Sequence, residues 1–191
     1  MVWAAFSFNG QVGLAFLDDR QNSPKYIETL ENHLMPFAEN IGGGNWVNFH
    51  YSLSTASNKK DCVPDFLKQL ALEIINNIHL NDIKIYTDGS KTDKQAGSGI
   101  YIETPRYKYS IKQRNPDFCS VFRSELLALD VGLETIMSES NFGDLWILTD
   151  SHSSIQHVKN WTYIGDKTSL SILQKLKLIS LRHDVHFQWI P

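Results

Sequence analysis

Three acidic residues sit where carboxylates can do joint chemistry. Asp88 ends an apolar strand in YTDGS, Glu125 lies in a helix begun by VFRSELLAL, and Asp150 ends a second apolar strand in WILTDSHSS. With those strands side by side and the helix crossing them, all three carboxylates meet at one end of a sheet. Convergent carboxylates repel, and at least one pKa rises unless a cation sits between them. Magnesium answers that need, because it is hard, prefers oxygen ligands and keeps several waters. Two such ions roughly 3.5–4 Å apart activate a water and stabilise the leaving 3′-oxygen in phosphodiester hydrolysis. In that scheme Asp88 bridges both ions, while Glu125 and Asp150 hold one each or share through water.

Each residue also has a plainer reading. Asp88-Gly89 is a common strand-ending turn. Asp150 ahead of Ser151 suits the N-cap of a following helix. Glu125 suits a rim position, paired to Arg123 or Lys112. Its neighbours argue for the first reading: Phe122, Leu126, Leu129, Leu133 and Ile136 form one apolar stripe. Glu125 stands at the edge of that stripe, where a charge is costly unless paired or metal-bound.

The elements that position these residues follow from local patterns. Residues 83–87, 97–102 and 107–111 read as an antiparallel meander, with Thr104-Pro105-Arg106 as a tight connection. Leu145 to Leu148 is an unbroken apolar run, expected of a central strand covered on both faces. Helices follow near 153–161 and 170–181, and a last strand at 185–189. Upstream, Leu67, Leu70, Ala71, Ile74 and Ile78 share one helical face over 64–78. Residues 2–17 read as a hairpin about Asn9-Gly10, and Ser23-Pro24 opens a helix over 24–41 that Gly42-Gly43-Gly44 ends. A short Trp46-Val47 strand follows, and residues 48–61 have no periodicity. The expected division is 1–47 hairpin and helix, 48–63 linker, 64–82 connecting helix and 83–191 α/β domain.

Composition narrows the function classes. The chain has 191 residues, 42% hydrophobic and 20% charged, an ordinary globular balance. No run approaches the ~18 apolar residues of a membrane span, and MVWAAFSFNG has no basic segment of the secretory kind. Two cysteines, Cys62 and Cys119, make neither a zinc knuckle nor a disulfide framework, which points to a reduced intracellular setting. The formal charge is -3. Residues 83–191 carry 13 Lys plus Arg against 12 Asp plus Glu, and residues 1–82 carry 5 against 9, so the acidity sits in the first part and any local basic groove belongs to the second.

YTDGS, AGSGI, RSELLAL, LTDS and FQWIP form a series that resembles the type 1 ribonuclease H domain of non-LTR retrotransposons, over residues 83–191. The resemblance implies a mixed five-stranded α/β sheet with helices on both faces. It also implies endonucleolytic cleavage of the RNA strand of an RNA/DNA hybrid with two Mg2+ or Mn2+ ions. Asp88, Glu125 and Asp150 match the family's first three catalytic, metal-binding carboxylates. Gly89 and Ser90 match its substrate-facing turn, and Gly97 and Gly99 the glycines of its second strand. Lys91, Arg123 and Ser151 are added as substrate contacts, with Lys94, Lys112 and Arg114 as further phosphate contacts. The family's fourth carboxylate lies on a last helix beyond the QWIP-like strand. This sequence stops at Pro191, so no fourth carboxylate is assigned and the domain is read as incomplete.

VWAAFSFNGQVGLAFLDD with NSPKYIETLENHLMPFAENIGGGNWV resembles the middle of a mariner-type transposase catalytic domain, without that family's metal-binding aspartates. His152 and His157, five apart, do not share a helical face and make a poor zinc pair. The leading expectation is therefore a monomeric, retroelement-derived hybrid endoribonuclease, with other nucleic acid as a further partner and no membrane. The alternatives are a nucleic-acid-binding relic without turnover and a DNA-transposase-related protein.

Overall fold

The computed structural model describes residues 2–7, 10–16, 47–53, 63–160 and 166–191. The chain divides into two units, Met1–Asn45 and Trp46–Pro191. In the first, β1 (Val2–Ser7) and β2 (Gly10–Phe16) pair antiparallel, as expected of a hairpin. Gly10 already pairs with Ser7, so it belongs to β2 rather than to the middle of the turn. Asn9 and the expected helix over 24–41 lie outside the described residues.

The second unit holds a mixed sheet built from β3 (Val47–His50), β4 (Ile83–Lys91), β5 (Ala96–Glu103), β6 (Lys108–Asn115), β7 (Leu145–Thr149) and β8 (Val185–Trp189). Its order is β3-β8-β7-β4-β5-β6. The meander β4-β5-β6 is antiparallel, while β4, β7, β8 and β3 run parallel. Helices α1 (Pro64–Asn77), α2 (Val121–Ile136), α3 (His152–Lys159) and α4 (Lys167–Ser180) flank it.

The sheet has six strands where five were expected. The extra one, β3, comes from the stretch read as a strand stub and a linker. Val47–His50 pairs in parallel register with Val185–Gln188, and Phe49 stacks on Phe187 with centroids 5.5 Å apart. Four residues carry too little periodicity to announce a strand, and this one exists through a partner at the far end of the chain.

The core follows from alternation. Ile83, Ile85, Leu145, Ile147, Val185 and Phe187 are buried, and they pack with Leu126, Leu129, Leu133 and Ile136 of α2 and Ile172 and Leu176 of α4. Each such side chain contributes about 1.5–3 kcal/mol on burial. Leu67 and Leu70 join α1 to the same cluster. Helix α2 lies on β4 and β5 and meets α4. Its Gly132 permits that approach: a Cβ there would stand 2.9 Å from Ile85 Cγ2. Among the described residues, no helix is long and apolar enough to cross a membrane.

Candidate active site

Parallel pairing of β4 with β7 sets the first two carboxylates together. Thr87 matches Thr149, and Asp88 and Asp150 come next on their strands, both exposed. Neighbouring strands lie about 4.8 Å apart, so the two residues sit side by side where the β4–β7 ladder ends; Asp150 leaves β7 there, whereas β4, expected to end at Asp88, runs on to Lys91 through its pairing with β5. Asp88 faces Gly99 across the β4–β5 ladder, and a Cβ on Gly99 would lie 3.9 Å from Asp88 Oδ2.

Glu125 arrives from α2. Ser120 caps this helix, its hydroxyl accepting from the Arg123 amide, and Glu125 follows one turn later. The carboxylate is only 4% exposed, and its Oε1 accepts the Gly89 amide at 2.7 Å. Gly89 is required by contact. A Cβ there would stand 2.6 Å from the Glu125 nitrogen and 2.8 Å from both Glu125 Cγ and the Val121 oxygen. The glycine of YTDGS thus lets β4 touch α2 and aims its own N–H at the glutamate.

The second oxygen, Glu125 Oε2, is buried and makes no hydrogen bond. Burial pushes the Glu125 carboxyl up to about 7; the Gly89 hydrogen bond opposes this, while the charges of Asp150 and Asp88 add to it. Glu125 therefore stands within the electrostatic reach of both Asp88 and Asp150. A buried oxygen without a partner, beside two anions, is the electrostatic condition that a hard cation relieves. The donors fit such an ion in kind, all being carboxylate oxygens. As placed, however, no group of three His, Cys, Asp or Glu among the described residues closes into a metal-holding cluster.

The plainer readings of these residues are settled by partners. Ser151, not Asp150, caps α3, its hydroxyl accepting from the Ser154 amide at 3.3 Å. Its oxygen also lies 2.8 Å from Ser154 Oγ and 3.1 Å from Ser153 Oγ, so this expected substrate contact has a structural task. Arg123 is not paired to Glu125. Its guanidinium binds the Asp166 carboxylate and donates to Thr168 Oγ1 at 2.8 Å, joining the starts of α2 and α4. Asp166 in turn caps α4. Burial raises the Asp166 pKa, but hydrogen bonds from Ser169 and Arg123 outweigh it and hold the group down at about 2. Ser90 and Lys91 are exposed on the end of β4. Trp161, which the sequence offers as a ring to pack on the domain or stack near the substrate, lies outside the described residues.

Beside Asp88, a groove of about 420 Å³ runs over β4, β5 and β6, with Ser90, Thr92, Gln95, Lys112, Gln113 and Arg114 on its walls. Lys112 and Arg114 were expected here; Thr92, Gln95 and Gln113 were not, having no motif to mark them. Beneath it, Asn115 Nδ2 donates to Ser98 Oγ at 2.8 Å, and Ser98 Oγ donates to the Ser124 carbonyl at 2.6 Å. This buried chain ties the floor of the groove to the residue before Glu125. Its one sequence signal was a serine in AGSGI at a buried strand position.

The family model for RNase H matches residues 80–191. No curated protein matches the chain. Among solved structures, RNase H1 from the halophilic archaeon Halobacterium salinarum NRC-1 is similar at 15% identity over 58% of this chain and 86% of that one, with a TM-score of 0.43. With a match across more than half its length, the chain belongs to the RNase H family.

Proposed function

We propose that this protein is a metal-dependent endoribonuclease that hydrolyses the RNA strand of an RNA/DNA hybrid, with Asp88, Glu125 and Asp150 as its catalytic carboxylates. The observation that carries this reading is the buried, unpartnered Glu125 Oε2 next to Asp88 and Asp150. Held by these residues, Mg2+ or Mn2+ would supply an activated water and charge stabilisation of the leaving oxygen. The chain's own contribution is positioning. The Gly89 amide fixes one oxygen of Glu125, and the Ser98–Ser124 hydrogen bond holds the start of α2 against the sheet. Lys112 and Arg114 offer charge to phosphates along the groove, while Ser90, Thr92, Gln95 and Gln113 offer donors and acceptors for 2′-hydroxyls. Those hydroxyls distinguish an RNA strand from DNA without reading bases. The motif series of residues 83–191 supports a retroelement source for this domain.

A second reading, nucleic-acid binding without turnover, is favoured by the lack of a closed three-residue metal cluster among the described residues. One experiment separates the two. A labelled RNA/DNA hybrid is incubated with the full chain and Mg2+ or Mn2+, beside Asp88→Asn. Cleavage by the wild type that Asp88→Asn abolishes supports the nuclease. Salt-sensitive binding without cleavage by either protein overturns turnover and selects the second reading.

A further inference from the structure

The strand that extends the sheet also brings a residue to the carboxylate edge. β7 and β8 match Thr149 with Trp189, and β8 and β3 match Gln188 with His50. Because β3, β8, β7 and β4 are all parallel, Tyr51 leaves β3 at the edge where Asp150 leaves β7. Tyr51 lies outside the 80–191 match.

At that edge the aromatic rings form a series. His152, two residues after Asp150, stacks on Trp189 with centroids 4.4 Å apart and planes 20° apart. Trp189 is buried, and its Nε1 donates to the Asp150 carbonyl at 3.0 Å. The Tyr51 ring lies parallel to the His152 imidazole, at 5° and 6.4 Å. Lys159 Nζ stands 5.1 Å from the Tyr51 ring centre. His152 and Lys159 are exposed, and among the described residues Lys159 makes no ion pair.

The exposed His152 imidazole and the exposed Lys159 ammonium are both set against the half-buried Tyr51 ring, and a ring and a charge so placed suit a nucleotide, the ring meeting a base or ribose and the charge a phosphate. Its place in the strand order reinforces this. The Lys112–Arg114 groove lies on the β5–β6 side of the carboxylates, and Lys159 lies toward β3 and β8. A polyanion lying across Asp88 and Asp150 gains affinity from each phosphate that a cation meets, on either side of them.

Resting on the nuclease reading for the identity of the strand, we propose that His152 and Lys159 bind a nucleotide of the substrate beyond Asp150, on the side away from the groove. Tyr51 is the positioning residue that keeps the Lys159 ammonium there through a cation–π contact.

The test is fluorescence anisotropy of the full chain with a labelled RNA/DNA hybrid in EDTA, across a salt series. Lys159→Gln should weaken binding about 3- to 10-fold and reduce the slope of log affinity against log salt by about 0.9, the value for one lost phosphate contact. Tyr51→Leu should do the same, and Tyr51→Phe, which keeps the ring, should bind as wild type. Lys159 is exposed, so its variant decides the question even if Tyr51→Leu fails to fold. Wild-type affinity and slope in Lys159→Gln would overturn this contact and leave the nuclease reading standing. Absence of hybrid binding by the wild type would overturn both.

Discussion

Replacing Glu125 by glutamine separates its charge from its shape, and the effect should depend on pH. The carboxyl is raised from 4.5 to about 7, first by burial and then by Asp150 and Asp88, against the Gly89 hydrogen bond. In the native state Glu125 therefore holds its proton where the unfolded chain has lost it. Stability from this group is complete below pH 4.5 and is lost as pH rises through 7. A rise of that size corresponds to about 3 kcal/mol between pH 4 and pH 8.5. Glutamine does not titrate. It keeps an acceptor for the Gly89 amide but leaves its own buried N–H2 in place of Oε2, a penalty that is constant with pH. The difference in unfolding free energy between Glu125→Gln and wild type, measured by urea denaturation in metal-free buffer, should thus move by about 3 kcal/mol in favour of the variant from pH 4 to pH 8.5. A difference that stays flat across this range would refute the burial of Glu125 and its repulsion by Asp150 and Asp88.

Four further outcomes follow from the same geometry. Gly89→Ala forces its new methyl against Glu125 and the Val121 carbonyl, and should cost about 1–3 kcal/mol in denaturant melts as well as hybrid cleavage. Asp166→Ala removes the α4 cap and frees Arg123, and should destabilise the chain by about 1 kcal/mol at pH 7. Wild type should lose the Asp166 contribution as pH falls from 3.8 through about 2, a fall that the alanine variant lacks in acid melts. Arg123→Ala should lower stability without changing the salt dependence of hybrid binding, because its charge is engaged by Asp166. Phe49→Ala should cost about 2–3 kcal/mol in the same melts if β3 is integral to the sheet, since it removes the stack on Phe187.

Much of the site was legible because it is written in local patterns. The alternating burial of β4 and β5 has a period of two, and residues 83–87 and 97–102 show it in their side chains. The place of Glu125 beside Leu126 foretold a buried acid, and the structure makes it 4% exposed. What escaped was decided by distant partners. Nothing near Arg123 indicates that Asp166, on another helix, will take its charge. VNFH becomes a strand only because β8, more than a hundred residues later, offers an edge. Asp150 suits the cap of α3 by residue type, yet in the structure the helix starts one residue later and Ser151 takes the cap. The groove residues Thr92, Gln95 and Gln113 come together through hairpin register, which no spacing within one strand encodes.

In the proposed reaction Asp88, Glu125 and Asp150 jointly hold the divalent cations. Isothermal titration of Mn2+ into the full chain at pH 8, where Glu125 is ionised, tests it most directly, alongside Asp88→Asn, Glu125→Gln and Asp150→Asn. Binding by the wild type, weakened in each variant by at least about tenfold, or ~1.4 kcal/mol, is the predicted result. No binding by the wild type, or equal affinity in all four proteins, would contradict it.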